Sequence, residues 1–354
     1  MRYESMGAKM NLESVIGIKF PLIQAPMAGA QDSALAIAVS RAGGLGSLPA
    51  AMLDAASLRH ELQVLQVSGL PYNVNIFCHQ TSKPTQAAES KWQTALQPYY
   101  QEFGIDPASI PTTAGRRPFD EEMAEVLEEF SPKVVSFHFG FPSPSLLARV
   151  KARGAWVMSS ATTLDEARWL VAHGADGVIA QGLEAGGHRG HFLDRDVSRQ
   201  ANTLDLLKQL SANIGVPIIA AGGIAHAQDV QAAMAAGASA VQVGTTFLLC
   251  HEAKTSALHR ARLRDANAPT ALTNLFTGGL ARGMFNRVMQ ELGPQNEAAP
   301  QFPLATQAIA PLRSKAEAKH LDDFTPLWSG SNRSGCFEGP ASEVVLRLAA
   351  GFVN

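Results

Sequence analysis

Eight short apolar runs, each closed by glycine or a small residue and each followed by a helical pattern, set the tightest limit on how this chain can fold. They read PLIQAPMAG from Pro21, GLGSLPA from Gly44, YNVNIF from Tyr72, KVVSFHFG from Lys133, AWVMSSAT from Ala155, GVIAQG from Gly177, PIIAAGG from Pro217 and AVQVGTTF from Ala240. A nearly continuous apolar run bounded by turn residues marks a strand buried on both faces, and alternation with helices marks βα units in a parallel sheet. The intervening segments, such as DEARWLVAHGA and AQDVQAAMAAGA, space their apolar residues along one helical face and reach glycine near the next strand, as a helix C-cap does. Eight units predict an α/β fold, a (β/α)8 TIM barrel. The alternative is a doubly wound open sheet, but nothing in the chain marks a reversal of winding.

The third connection, about 84–132, is too long for one crossover and carries the charged helix FDEEMAEVLEEF, which predicts a helical insertion over one end of the barrel. Beyond strand eight the pattern is helical and irregular. The expected division is a barrel over 1–250 and a mainly helical segment over 251–354 that covers the active-site end, its last part packing back on the barrel.

Composition narrows the function classes. Hydrophobic residues make up 46% of the 354 and charged residues 17%, values of a soluble globular chain rather than a disordered or fibrous one. A net charge of -2 gives no reason to expect nucleic acid or an anionic membrane as partner. Cys78, Cys250 and Cys336 lie far apart without ligand spacing, so neither a disulfide framework nor a metal site is expected, and a reducing cytoplasm fits. The first residues lack the apolar core of a signal peptide, and every apolar run is too short to span a bilayer. Residues before about Met10 read as a flexible leader or an early start.

In a barrel the residues that end the strands face the ligand. Gly222 and Gly223 end strand seven, and Gly244 and Thr245 end strand eight, the two places where barrels often build a phosphate cup from main-chain amides. Either pair taken alone is equally well read as a tight turn. Neither GxGxxG with a following acid nor GxxxxGK[ST] is present, which argues against a nicotinamide domain or a P-loop. With the uncharged strand-end amides Asn75, Gln181 and Gln242, a phosphate cup suits a mononucleotide such as FMN, because amides both donate to and accept from a flavin ring edge.

Taken in order, PLIQAPMAG, AGGLGSL, NVNIF, AQGLEAGGHRG, IIAAGGI and VQVGTTF resemble the nitronate monooxygenases, formerly 2-nitropropane dioxygenases, and in particular class I. Weaker echoes follow in DFTPLWSG and PASEVVLRL. The resemblance implies that Met27 with its adjoining backbone, Asn75, Gln181, Gly186, Gly223 and the run Gln242, Val243, Gly244 and Thr245 contact FMN. It implies that the histidine of EAGGH, His188, is the catalytic residue, with Gly186 and Gly187 bringing the backbone close to the flavin. The implied reaction takes an alkyl nitronate and O2 to a carbonyl compound and nitrite, with propionate 3-nitronate as a candidate substrate. The chain departs from the family where an LWAGQ-like segment and a small, Ala-rich stretch are usual; here the residues are LWSGSNRSGCFEGPASEV, which bears on the nearby pocket.

Around His188, the residues read as pocket walls are His138, Phe77 and Phe139, with Met52, Phe141 and Phe285 as weaker candidates. His191 is read as solvent-exposed, and Arg189 as an exposed loop-edge cation. TGGLARGMFNRVMQELG, from Thr277, reads as a tight turn. Two rival enzymes share the fold: an FMN-dependent enoyl-acyl carrier protein reductase and an NADH:quinone reductase. A barrel that binds FMN without turnover is the non-enzymatic alternative, and a homodimer is compatible with the chain.

Overall fold

A computed structural model describes residues 12–110, 116–265 and 267–352; the leader expected before Met10 lies outside them. Each of the eight apolar runs forms a strand. The first six are β1 (Leu22–Gln24), β2 (Gly46–Pro49), β3 (Tyr72–Phe77), β4 (Val134–His138), β5 (Trp156–Ala161) and β6 (Gly177–Gln181). A short extra strand, β7 (Gly187–His188), follows outside the barrel, and the last two runs form β8 (Ile218–Ala221) and β9 (Ala240–Val243). The barrel strands are all parallel and ordered β1-β9-β8-β6-β5-β4-β3-β2. Leu45 closes the circle, donating its amide to Leu22 and accepting from Gln24, so the fold is a TIM barrel and not an open sheet.

Leu12, Ile16 and Ile18 pack with Ile23, Trp156, Met158, Ile179 and Ile219 in one buried cluster, which fills the barrel on the side where its strands begin. Higher up, Asn73 on β3 donates to Ser47 Oγ (3.0 Å) and Ser136 Oγ (2.9 Å), which ties three neighbouring strands together through side chains.

The outer ring has one helix per barrel strand: Ser33–Arg41, Ala55–Ser68, Glu121–Phe130, Pro144–Ala152, Leu164–Ala172, Thr203–Ser211, Ala227–Ala235 and Ala341–Ala349. Asp32, Asp54, Asp120, Ser143, Thr163 and Asn202 cap six of them, each side chain accepting an amide of the first turn. The charged FDEEMAEVLEEF segment is the ring helix after β3, with Met123, Val126, Leu127 and Phe130 turned to the wall. The part of the long connection that leaves the ring is helix Gln86–Phe103. The eighth ring helix, Ala341–Ala349, comes late in the chain and seats Ala341, Val344, Val345 and Leu348 beside Leu35, Val39 and Val230 of the first and seventh.

The chain between β9 and that last helix covers the mouth of the barrel. Helix Thr306–Glu317 packs on helix Gln86–Phe103, where Trp92 Nε1 donates to the Ala305 carbonyl (3.1 Å) and Tyr100 OH to that of Ala308 (2.7 Å). Strands β10 (Thr270–Thr273) and β11 (Ala281–Met284) form an antiparallel pair, and β7 adds to β11 with His188 opposite Ala281. Pattern reading describes this stretch as helical and misses the small sheet. Among the described residues no helix is long and apolar enough to cross a membrane.

Candidate active site

A cavity of about 280 Å³ opens at the C-terminal ends of the strands. Met27, Asn75, Gln181, Gly186, Gly222, Gly223, Gln242, Val243, Gly244 and Thr245 all line it, together with Phe77, His138 and His188. Phe139 is not on the lining. It stands behind it with φ +67°, an unusual left-handed conformation for an aromatic residue, and packs on Phe77 (5.1 Å), His138 (4.6 Å) and Phe302 (5.3 Å). Of the weaker candidates, Met52 reaches the cavity, whereas Phe141 packs on the barrel wall and Phe285 on the cap.

The loop after β6 is shaped by steric demands on three glycines. A Cβ on Gly186 would overlap the backbone nitrogen of Gly330, so this glycine is dictated by the chain crossing over it. Gly187 has φ +73°, and a methyl group added there would meet nothing within 4 Å, so conformation and not crowding selects it. At Gly190 a Cβ would come within 2.8 Å of His138 Cε1 and of Ser160 Cβ. The loop therefore lies tight against His138 on one side and against the 329–330 segment on the other.

The backbone of His188 is held by two buried side chains. Gln181 Nε2 donates to its carbonyl (2.9 Å), and His138 Nε2 approaches the same oxygen at 3.2 Å. For His138 this fixes the tautomer: Nε2 carries the hydrogen, and Nδ1 accepts from Ser160 Oγ (3.0 Å). Burial lowers the His138 pKa to about 4, so the ring is neutral at physiological pH. Gln181 Oε1 in turn accepts the Gly190 amide (2.7 Å).

The His188 side chain is 8% exposed and boxed by Phe302 (5.2 Å between ring centres), Trp328 (5.4 Å), Phe77 (6.1 Å) and Phe139 (6.3 Å). Its Nε2 lies 2.9 Å from Thr277 Oγ1, and Nδ1 has no partner among the described residues. Burial holds its pKa well below the ordinary histidine value, and the Arg116 charge and the rings of His138 and His79 push the same way. The ring is neutral, and among the groups that act on it the charged one is a cation; the carboxylate on the lining, Glu184, accepts the amide and hydroxyl of Thr203 on the side of the glycine turns.

That cation is Arg116. It lines the cavity, its guanidinium contacts Met52 Sδ (3.7 Å), and no carboxylate pairs with it among the described residues. His79 supports it from behind, its Nε2 bonded to the Arg116 carbonyl (3.0 Å) and its ring edge-on to Phe302 at 4.8 Å.

Two readings of the loop need correction. Arg189 is not exposed: it is 0% accessible, donating to the carbonyls of Gln181 (2.8 Å) and Gly182 (2.6 Å) and to Gln200 Oε1 (2.9 Å). Its charge is spent on the loop's own backbone, and burial pushes its pKa down to about 10. His191 is half-buried, bonded through Nδ1 to Gln200 Nε2 (3.1 Å), and burial lowers its pKa to about 4. Glu166 completes the framework: Oε1 accepts the amides of Phe192 (2.6 Å) and Leu193 (3.2 Å), and Oε2 accepts the amide and hydroxyl of Thr162 (2.7 and 2.8 Å).

At the other end of the cavity the two glycine turns come together, Gly222 with φ +123° and Gly223 with φ +72°. A Cβ on Gly222 would crowd Thr203 Oγ1 (2.8 Å) and Ala185 N (2.9 Å), so packing against the β6 loop contributes to the choice of glycine there. The divergent LWSGSNRSGCFEG segment is tied to these turns. The Gly330 amide donates to Thr245 Oγ1 (2.9 Å), Asn332 Nδ2 to the Gly223 carbonyl (3.0 Å), and Cys336 Sγ to the Thr245 carbonyl (3.3 Å). Between the two ends, Gln242 Oε1 is buried without a partner among the described residues, whereas the amide groups of Gln181 and Asn75 already bond within the barrel. Met27 is set by Gln31, whose Oε1 accepts the Met27 amide at 3.0 Å and whose Nε2 donates to the Ser47 carbonyl at 2.6 Å.

Sequence reasoning missed Thr277, Phe302, Arg116, His79 and Gln31. Thr277 and Trp328 lie within recognisable segments but carry no visible chemistry there, because their partner His188 is more than a hundred positions away for Trp328 and 89 for Thr277.

Known proteins carry the same frame. A family model described as nitronate monooxygenase matches residues 9–351. A nitronate monooxygenase of Pseudomonas aeruginosa is 39% identical over 340 residues, covering 94% of this chain and 96% of that one. A second, from Paraburkholderia phytofirmans, is 37% identical over 345 residues, covering 96% and 94%. Among solved structures, a nitroalkane oxidase from Streptomyces ansochromogenes aligns with a TM-score of 0.88 at 36% identity, covering 96% of this chain and 97% of its own. FabK from Thermotoga maritima shares the fold, with a TM-score of 0.71 at 23% identity over 98% of this chain and 96% of its own.

Proposed function

The chain belongs to the nitronate monooxygenase family of oxidoreductases, and from that premise we propose that it oxidises alkyl nitronates with FMN and O2 to a carbonyl compound and nitrite. The observation that carries the reading is the environment of His188: a neutral, aromatic-walled imidazole whose charged neighbour is Arg116, a cation without a carboxylate partner among the described residues. Such a site favours a small organic anion over a neutral or cationic substrate.

The residues fit FMN. Gln242 Oε1, a buried acceptor that lacks a donor, matches a ring-edge N–H, and a buried polar atom left unpaired costs about 1–3 kcal/mol unless a ligand satisfies it. Gly222, Gly223, Gly244 and Thr245 offer main-chain amides for a phosphate at the opposite end, closed over by Gly330 and Asn332. When bound, FMN supplies an acceptor for the electron given up by the nitronate and a route from there to oxygen.

The chain's own part is binding, orientation and exclusion of water. Arg116 offsets the charge of the substrate. His188 faces its nitro oxygens, or takes the α-proton where a neutral nitroalkane enters, and Phe77, Phe302 and Trp328 keep the space dry. A low-dielectric wall strengthens each of these electrostatic contacts.

The test is direct. The purified protein is examined for a flavin absorbance spectrum, for oxygen consumption with propionate 3-nitronate, and for anaerobic bleaching by NADH. Rapid oxygen uptake with nitronate and no bleaching by NADH is the expected result. Bleaching by NADH without nitronate turnover would instead assign the chain to a reductase activity on the same scaffold.

A further inference from the structure

Two nitrogens of His188 play different parts, and the hydrogen bonds around Thr277 distinguish them. Thr277 is 4% exposed at the tip of the β10–β11 hairpin. The tip has no freedom to slide: a Cβ on Gly278 would overlap the Pro300 carbonyl, and one on Gly279 would press on the Phe302 ring at 3.1 Å. The hydroxyl is thereby fixed 2.9 Å from His188 Nε2.

A threonine hydroxyl has one hydrogen to give. Here it can go to His188 Nε2 at 2.9 Å or to the Gly279 carbonyl at 3.4 Å, while the Gly279 amide approaches the same oxygen as a donor at 3.4 Å. The 2.9 Å contact has the length of a good hydrogen bond and the 3.4 Å contact does not. Donating to Nε2 gives the hydroxyl hydrogen its one contact of good length, whereas the reverse arrangement, with Nε2–H as the donor, leaves that hydrogen only the 3.4 Å carbonyl. His188 then carries its hydrogen on Nδ1, the nitrogen without a partner among the described residues, in a ring that lines the cavity.

We infer that Thr277 is a positioning residue that locks His188 as the Nδ1–H tautomer, so that the ring presents a hydrogen-bond donor to an already ionised nitronate rather than a base to a neutral nitroalkane. The inference rests on the proposed function for its substrate and on geometry alone for the tautomer. No proton leaves the carbon in this arrangement: the substrate arrives as the anion, and the Nδ1–H bond stays intact while it binds a nitro oxygen. A neutral nitroalkane is expected to react more slowly, because Nδ1 can accept its α-proton only after the ring hydrogen has moved to Nε2 and displaced the Thr277 bond there.

The experiment uses the flavin-loaded protein, with Thr277→Val removing the hydroxyl and Thr277→Ser keeping it. Ring ¹⁵N shifts, with His188 assigned by comparison with a His188→Leu variant, report the tautomer without any turnover. Steady-state kinetics with a nitronate and its parent nitroalkane report the consequence. The expected results are an Nδ1–H ring in the wild type and in T277S, and a shifted tautomer in T277V. In T277V the KM for nitronate rises about tenfold with kcat changed much less, as expected when one donor to an anion is lost, and the preference for nitronate over nitroalkane narrows. An Nε2–H ring in the wild type overturns the inference, as does a T277V protein with unchanged tautomer and KM. A protein that turns over neither substrate would remove the proposed function, and the ¹⁵N shifts would still decide the tautomer. Because wild type and T277S are both informative, a poorly folding T277V does not protect the idea.

Discussion

Gln181 and His188 are joined through the main chain: the Gln181 amide donates to the His188 carbonyl at 2.9 Å, and its oxygen accepts the Gly190 amide at 2.7 Å, two residues further on. One buried side chain thus sets the backbone on both sides of the imidazole. Replacement by Leu takes the side-chain partner from the buried Gly190 amide, at about 1–3 kcal/mol, and leaves the His188 carbonyl with His138 Nε2 alone. Gln181→Leu is expected to lower the denaturation midpoint and to reduce kcat/KM, both measurable on one preparation by urea titration and oxygen uptake.

The two glycines before His188 are expected to differ sharply under the same change. Gly186→Ala drives a methyl into the Gly330 backbone, which cannot yield without moving the segment that closes over the glycine turns. Gly187→Ala meets no atom and bears only the left-handed backbone conformation, about 1–2 kcal/mol. Flavin content and thermal midpoint check this: G186A should lose both, and G187A should keep its flavin. Equal losses would mean that steric contact with residue 330 is not what selects Gly186.

Arg116→Gln keeps a polar side chain in the cavity and removes the charge. An increase of about tenfold in KM for a nitronate, the equivalent of roughly 1.4 kcal/mol, is expected with flavin binding unchanged. The increase should shrink as ionic strength rises, because added salt screens whatever the arginine contributes in the wild type. A KM insensitive to both would separate Arg116 from substrate binding.

His188→Leu removes the donor that faces the substrate. By analogy with loss of a single oxyanion donor, kcat/KM falls by about 10² to 10³, while the flavin spectrum persists because the glycine turns and Gln242 are untouched. Loss of flavin on purification would make the residue structural.

The pH dependence of stability has a definite sign. Burial lowers the pKa of His138, His191 and His259 to about 4, below the ordinary value of 6.5, so between these limits the unfolded chain binds protons that the folded chain refuses. Stability is full above pH 6.5 and is lost as the pH falls through about 4. Each such histidine steepens the slope by about 1.4 kcal/mol per pH unit. Urea midpoints at pH 7 and pH 5 measure it, and His138→Asn should flatten the profile by one proton's share.

The barrel was legible because strands buried on both faces cannot hide their pattern: IIAA, GVIAQ and WVMSSA are buried along their whole length and mostly apolar, and the first two end on residues that line the cavity, Ala221 and Gln181. The cavity-lining positions followed from that, since the ends of the strands are local features. What stayed hidden was set by how the loop turns and by residues distant in the chain. Arg189 and His191 looked like loop surface because their partners, Gln181, Gly182 and Gln200, are recruited by the turn of the loop itself. Arg116 carried no sign of its role, since a lone arginine beside another arginine reads as a solvated pair. The strand pairing of Gly187 and His188 with Ala281 and Arg282 joins segments separated by nearly a hundred residues, and no short-range pattern reports it.

The ring's last helix, Ala341–Ala349, has a kinetic meaning. It fills the gap between the first helix and the seventh, so the wall cannot be completed until the end of the chain has been made, after the whole cap has been threaded between β9 and this helix. During synthesis Val39 and Val230 leave the ribosome before the helix that covers them, and for Val39 closing that seam is a contact between segments far apart in the chain, the kind that slows folding. The seam is thus the last part of the wall to receive its apolar cover, and the helix that supplies it follows directly on the segment whose Gly330 and Asn332 hold Thr245 and Gly223.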